Sequence, residues 1–190
     1  MVLLAATGGI VYTGAQPGAA VRPTWTAEFP VAHSGGPGGS GNAPDGQTAS
    51  ATMNFNQTNI TEVTFNFQFV DNYRFATISP AAVTFRVTSP LGDAMESSLS
   101  AGRATATSIT IRDVASVPDE EEFLAATEAD AARMMAVRHP VNENGTGDWT
   151  VEVTVTRDYM TPVHPTGSIA WTATSRLTTY QMELSEKMYG

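Results

Sequence analysis

The side chains best placed for chemistry are acids in turns. Asp71 and Asn72 follow one alternating run, and Asp93 follows a Ser-Pro-Leu-Gly turn. Asp148 precedes Trp149, and Asp158 ends the strand that Trp149 begins. Oxygen-rich turns at the ends of a β-sandwich suit calcium, so Asp71, Asp93, Asp148 and Asp158 are expected as its ligands. No EF-hand spacing accompanies them, and Asp and Asn also populate turns for conformational reasons alone. The three histidines, His33, His139 and His164, fall in no paired metal spacing, and no His-Glu-x-x-His occurs. Each reads as a solvated loop or helix-end residue. No Gly-x-Ser-x-Gly elbow is present. The run Asp119 to Glu122 supplies carboxylates of the kind glycoside hydrolysis uses. It reads better as the acidic first turn of a helix, where the dipole favours negative charge.

Composition narrows the classes further. Cysteine is absent, which excludes disulfides, thiol catalysis and cysteine-ligated zinc. The net charge is −9 and the only lysine is Lys187. Such a surface repels phosphate backbones, so no nucleic-acid partner is expected. Charged residues make up 15% of the 190, against roughly 25% in an average domain. Threonine fills much of the gap, as on a pleated, half-exposed β surface.

The elements that must position these residues are mostly strands. Val63, Phe65, Phe67 and Phe69 alternate with Thr64, Asn66 and Gln68, the period-2 pattern of a strand with one buried face. Val83, Phe85 and Val87 repeat it. So do Ile109 with Ile111, then Trp149, Val151, Val153 and Val155, then Ile169, Trp171 and Ala173. Arg22 to Val31 reads as a first strand carrying Trp25 and Phe29. Residues 34–48, rich in glycine, read as a flexible surface loop. Pro118 to Val137 reads as a helix capped by Ser116 and stopped by Pro140, with Phe123, Leu124, Ala131, Met134 and Met135 as its core stripe. The apolar run Val2 to Tyr12 is too short to span a bilayer and suits an export signal or anchor. The expected organisation is a signal or anchor remnant with spacer over 1–21, a β-sandwich over 22–184, and a tail over 185–190.

Taken in order, several segments resemble the P-domain of proprotein convertases and the related pre-peptidase C-terminal domains. Val63 to Phe69 matches their alternating strand, and Val83 to Gly92, with Ser89-Pro90-Leu91-Gly92, their strand with a Ser-Pro-x-Gly turn. Gly147-Asp148-Trp149-Thr150-Val151 and Gly167-Ser168-Ile169-Ala170-Trp171 match the two later strands. The resemblance covers roughly residues 49–184 and implies a jelly-roll sandwich. Two departures stand out. A helix is inserted at 118–137, and Arg157-Asp158-Tyr159-Met160-Thr161-Pro162 replaces an Asp-rich turn.

The expected fold is therefore mainly β: an antiparallel, jelly-roll-like sandwich with one inserted helix near 118–137. The expected function is a non-enzymatic secreted or cell-surface module that binds a partner protein or a glycan, anchored through its N-terminus. The alternatives are a structural subunit of a surface filament, S-layer or membrane complex, with copies assembling, and a hydrolase with dispersed catalytic residues such as Asp148 and His164. Three sequons, at Asn56, Asn59 and Asn144, are available for glycosylation.

Overall fold

A computed structural model describes residues 22–101, 104–158 and 167–187. The N-terminal apolar run, its spacer and His164 lie outside the described residues.

Eight strands build the sandwich: β2 (Val31–Pro44), β3 (Thr48–Phe55), β4 (Ile60–Asp71), β5 (Ala81–Thr88), β6 (Ala94–Ala101), β7 (Ala104–Ile111), β9 (Gly147–Thr156) and β10 (Ser168–Tyr180). One sheet has the order β2-β10-β4-β7 and the other β3-β9-β5-β6. The pairing is nested. The first sandwich strand pairs with the last, the second with the last but one, and so inward to the β5–β6 hairpin. An antiparallel ribbon wound over itself in this way is a jelly roll. The expected fold class therefore stands on the strand order itself.

Alternation produces the core directly. Val63, Phe65, Phe67 and Phe69 on β4 are buried, as are Val83, Phe85 and Val87 on β5 and Trp149, Val151, Val153 and Val155 on β9. The Phe67 and Phe85 rings meet across the sandwich with centroids 4.6 Å apart. Trp149 packs against Phe55 and Phe65, and its indole N–H donates to the Gly145 carbonyl at 2.8 Å.

A second, smaller core closes one end of the sandwich. Here β1 (Thr24–Glu28) pairs with both β8 (Glu121–Leu124) and β11 (Glu183–Glu186), and α1 (Glu128–Arg138) packs beside them. Trp25, Ala27, Phe29, Phe123, Ala131, Met135 and Tyr180 are buried together. The first predicted strand thus exists but belongs to this satellite sheet. Ser185 and Glu186, expected in a tail, pair with β1 as well.

Two further expectations are corrected. The helix does not start at 118. Thr127 is its N-cap, and the Thr127 side chain accepts from the Asp130 backbone N–H, satisfying a donor that has no intrahelical partner. The residues before it extend and pair as β8, with Phe123 opposite Trp25. Leu124, expected in the core, is 56% exposed.

The glycine-rich stretch is not a loop either: most of it is edge strand β2, paired along β10. Its glycines answer a space constraint. A Cβ on Gly36 would sit 2.5 Å from Ser175 Oγ, and one on Gly41 would sit 2.8 Å from the Trp171 ring. The prolines Pro37 and Pro44 are tolerated because β2 is an edge strand.

Candidate functional site

Two places concentrate the molecule's chemistry, and they lie at opposite ends of the sandwich. The first is built on the ends of adjoining strands. Asp71 continues the inward parity of Phe65, Phe67 and Phe69 on β4. Arg157 continues that of Val151, Val153 and Val155 past the end of β9. Both side chains are wholly buried.

A buried guanidinium must be paired, and this one is paired on every side. Arg157 Nη2 donates to Asp71 Oδ1 at 2.7 Å and to Oδ2 at 2.8 Å. Nε donates to Asp45 Oδ2 at 3.1 Å, and Nη1 donates to the Ser79 carbonyl. The guanidinium also lies 4.4 Å from the Tyr73 ring centroid, a cation–π distance. Burial alone would lower its pKa. The hydrogen bonds and charges of Asp71 and Asp45 outweigh that, and the group is held above its ordinary value.

The same carboxylates hold backbone. Asp71 Oδ1 accepts from the Tyr73 N–H at 2.9 Å, and Asp45 Oδ2 from the Gly167 N–H at 2.9 Å. Ser79 Oγ donates to the Asp158 carbonyl at 2.6 Å. One arginine therefore fastens the β2–β3 turn, the end of β4, the segment 72–80 and the end of β9. That segment folds into a hydrogen-bonded turn, with Ile78 and Ser79 both donating to the Phe75 carbonyl at 2.9 Å. Its outer side presents Phe75 at 41% exposure and Ile78 at 64%.

The second place is a groove on the satellite core at the opposite end. Asp130, Arg133, Met134 and Val137 recur at helical spacing on α1, forming one face. They oppose Leu124 and Ala126, with Arg22 at the rim, around an open cavity of about 560 Å³. Val137 is 81% exposed. Arg138 also lines the groove and is engaged by Glu121, which meets His139 Nε2 at 3.2 Å.

The expected calcium ligands do not converge. Asp148 is near the start of β9 and Asp158 lies just past its far end. At about 3.3 Å per residue, this separates them by roughly 30 Å. Asp93 sits in the β5–β6 turn, where its N–H donates to Ser89 Oγ at 3.1 Å. The Asp148 carboxylate accepts from Asn54 Nδ2 at 2.7 Å. Asp71 has both oxygens on Arg157. Among the described residues, no three His, Cys, Asp or Glu side chains gather as a metal site would need.

Of the histidines, His33 lies on β2 with Nδ1 at 3.0 Å from Thr178 Oγ1, and His139 caps α1. Among the sequons, Asn56 and Asn144 are exposed. Asn59 is tied down, accepting from the Asn142 N–H at 2.8 Å. No helix among the described residues is long and apolar enough to cross a membrane.

No family model matches the chain, and no curated protein matches it. Solved structures of viral proteins are among those similar in outline. The cryo-electron-microscopy structure of Broad Bean Stain Virus is 8% identical, with 100% of this chain and 97% of that chain covered and a TM-score of 0.35. A structure of Desmodium yellow mottle tymovirus is 7% identical, covering 96% of each chain at a TM-score of 0.21. For the Gx strain of infectious bursal disease virus the identity is 10%, with 86% of this chain and 45% of that chain covered at a TM-score of 0.23.

Proposed function

We propose that this chain is a non-enzymatic structural subunit that assembles with further copies of itself into a filament or layer. The observation that supports it most is the braced segment 72–80. Loops at sandwich ends are where ligand sites ordinarily sit. Here Asp45 and Asp71 are consumed by Arg157, and the product of the bracing is a turn displaying Phe75 and Ile78 to solvent. A rigid apolar projection loses little entropy when covered, which is the property of an assembly contact rather than of a catalytic mouth. Jelly rolls serve as shell subunits as well as lectins, so the architecture is compatible with this role. An extracellular or surface setting, read from Val2 to Tyr12, and kinship with the P-domain family, read from the strand-and-turn motifs, complete the proposal.

Sedimentation velocity on the full chain across a concentration series tests it. Species larger than one chain should grow with concentration. A single monomeric species throughout would sink the reading.

A second reading, a glycan- or protein-binding module, is favoured by one feature. The outer face of the β2-β10-β4-β7 sheet carries a shallow recess of about 490 Å³ lined by Gln68, Val70, Ala106, Ala170 and Thr172. Binding on a glycan array that Val70→Glu abolishes would support it, and an array without specific signal would count against it.

A further inference from the structure

We infer that the edge strand β7 pairs antiparallel with the β7 of a second copy across a two-fold axis, so that one sheet runs through both copies. The inference rests on the assembly reading above and names one of its contacts.

An edge strand turns a row of backbone N–H and C=O groups outward, and proteins blunt such rows with proline, charge, short length or a cover. Most edges here are blunted. β2 carries Pro37 and Pro44, and β6 carries Glu96. The satellite edges β8 and β11 have 4 residues each and bear Glu121, Glu122, Glu183 and Glu186. β3 is uncharged, but β2 lies against it: a Cβ on Gly39 would sit 2.9 Å from the Met53 side chain and 3.3 Å from Ala51 Cβ. β7 has none of these devices. Its 8 residues, Ala-Thr-Ala-Thr-Ser-Ile-Thr-Ile, include no charge, proline or glycine. Among the described residues it pairs with β4 alone.

The side of the sandwich that β7 borders is also the open one. Register puts Met95, Ser97 and Leu99 of β6, and Thr105 and Thr107 of β7, on the inward faces. Yet Met95 is 45% exposed and the other four are only half-buried. On the β2–β3 side the inward Ala43, Met53 and Phe55 are buried.

The edge specifies its occupant. What it offers is backbone, so the partner must be a strand with an unpaired row of its own. A second β7 is such a strand, and one contact then satisfies both rows. A chain of net charge −9 repels its own copy over most of its surface, and an uncharged strand is where that repulsion is least. Beyond the last residue of β7, Arg112 is already held by Glu62 at 3.3 Å. A two-fold axis normal to the sheet makes the strands antiparallel. It also keeps Ala106, Ser108 and Thr110 on the same outer face in both copies. The interface is isologous, so it makes a pair of copies, the unit that a filament or layer would repeat.

Full-length Ser108→Lys and full-length Ser108→Glu each set like charges against one another across the axis. In sedimentation velocity each alone should raise the concentration needed for pairing at least about tenfold, with urea unfolding of the single copy unchanged. An equimolar mixture of the two should restore pairing. Native cysteine is absent, and opposed residues of an antiparallel pair lie within disulfide reach. Ser108→Cys should therefore bridge to itself between copies under mild oxidation. Thr172→Cys, exposed on the same face but on the inner strand β10, should not. A bridge at Ala106→Cys or Thr110→Cys in place of Ser108→Cys would keep the contact and shift its register by two residues.

Assemblies unchanged in both charge variants, with no bridge at 106, 108 or 110, would overturn this contact while leaving the structural role standing. A bridge between Leu4→Cys and Ser108→Cys that outcompetes the symmetric one would overturn it too, assigning the edge to the N-terminal segment. Monomer alone at every concentration would overturn both the contact and the assembly reading.

Discussion

Arg157 Nη2 donates to both carboxylate oxygens of Asp71, at 2.7 and 2.8 Å, with neither side chain exposed to solvent. Removing one partner of a buried pair leaves an uncompensated charge, which costs about 3–5 kcal/mol. Arg157→Ala should cost an amount in that range in urea unfolding, with Asp71→Ala similar. Because Arg157 also holds the Ser79 carbonyl, amide exchange across residues 72–80 should quicken in the same variant.

Glycine in β2 separates space from flexibility. Gly41→Ala drives a methyl into the Trp171 ring and should cost about 1–3 kcal/mol as overpacking. Gly35→Ala meets nothing within 4 Å. It should be neutral, or stabilising by up to about 1 kcal/mol through the unfolded chain. Equal losses at both positions in urea unfolding would count against β2 as a close-packed edge strand.

The start of α1 has its own test. Thr127→Ala removes the side chain that accepts from the Asp130 N–H and should cost about 0.5–2 kcal/mol. Ser116→Ala, at the cap position of the longer helix read from the sequence, should leave stability unchanged. The reverse result would restore that longer helix.

Alkali should loosen the satellite core. Burial raises the Tyr180 pKa above its ordinary 10.0, because the phenolate is the form that burial penalises. A folded pKa above the unfolded one means the contribution is whole below the unfolded value. It is lost as pH rises through the folded one. Stability measured against pH should therefore fall on the alkaline side in the native chain, and fall less in Tyr180→Phe.

Much of this architecture was legible as alternation. The inward runs on β4, β5 and β9 predicted the core residue by residue, because one buried face imposes a period of two. The same parity carried a signal for the brace that composition hides. Asp71 and Arg157 each fall in phase with the buried residues of their strands, so opposite charges had to be interior and paired. Reading Asp71 by its turn alone put it with calcium instead. β2 was illegible because its defining feature is missing Cβ atoms, and those are dictated by Trp171 and Ser175, far away in sequence. At residues 121–124 helix propensity lost to pairing with β1, a tertiary effect that no local pattern encodes.

Cryo-electron microscopy of the concentrated full chain tests the structural role most directly. The account predicts filaments or layers in which the sandwich repeats. Isolated single copies at every concentration would contradict it.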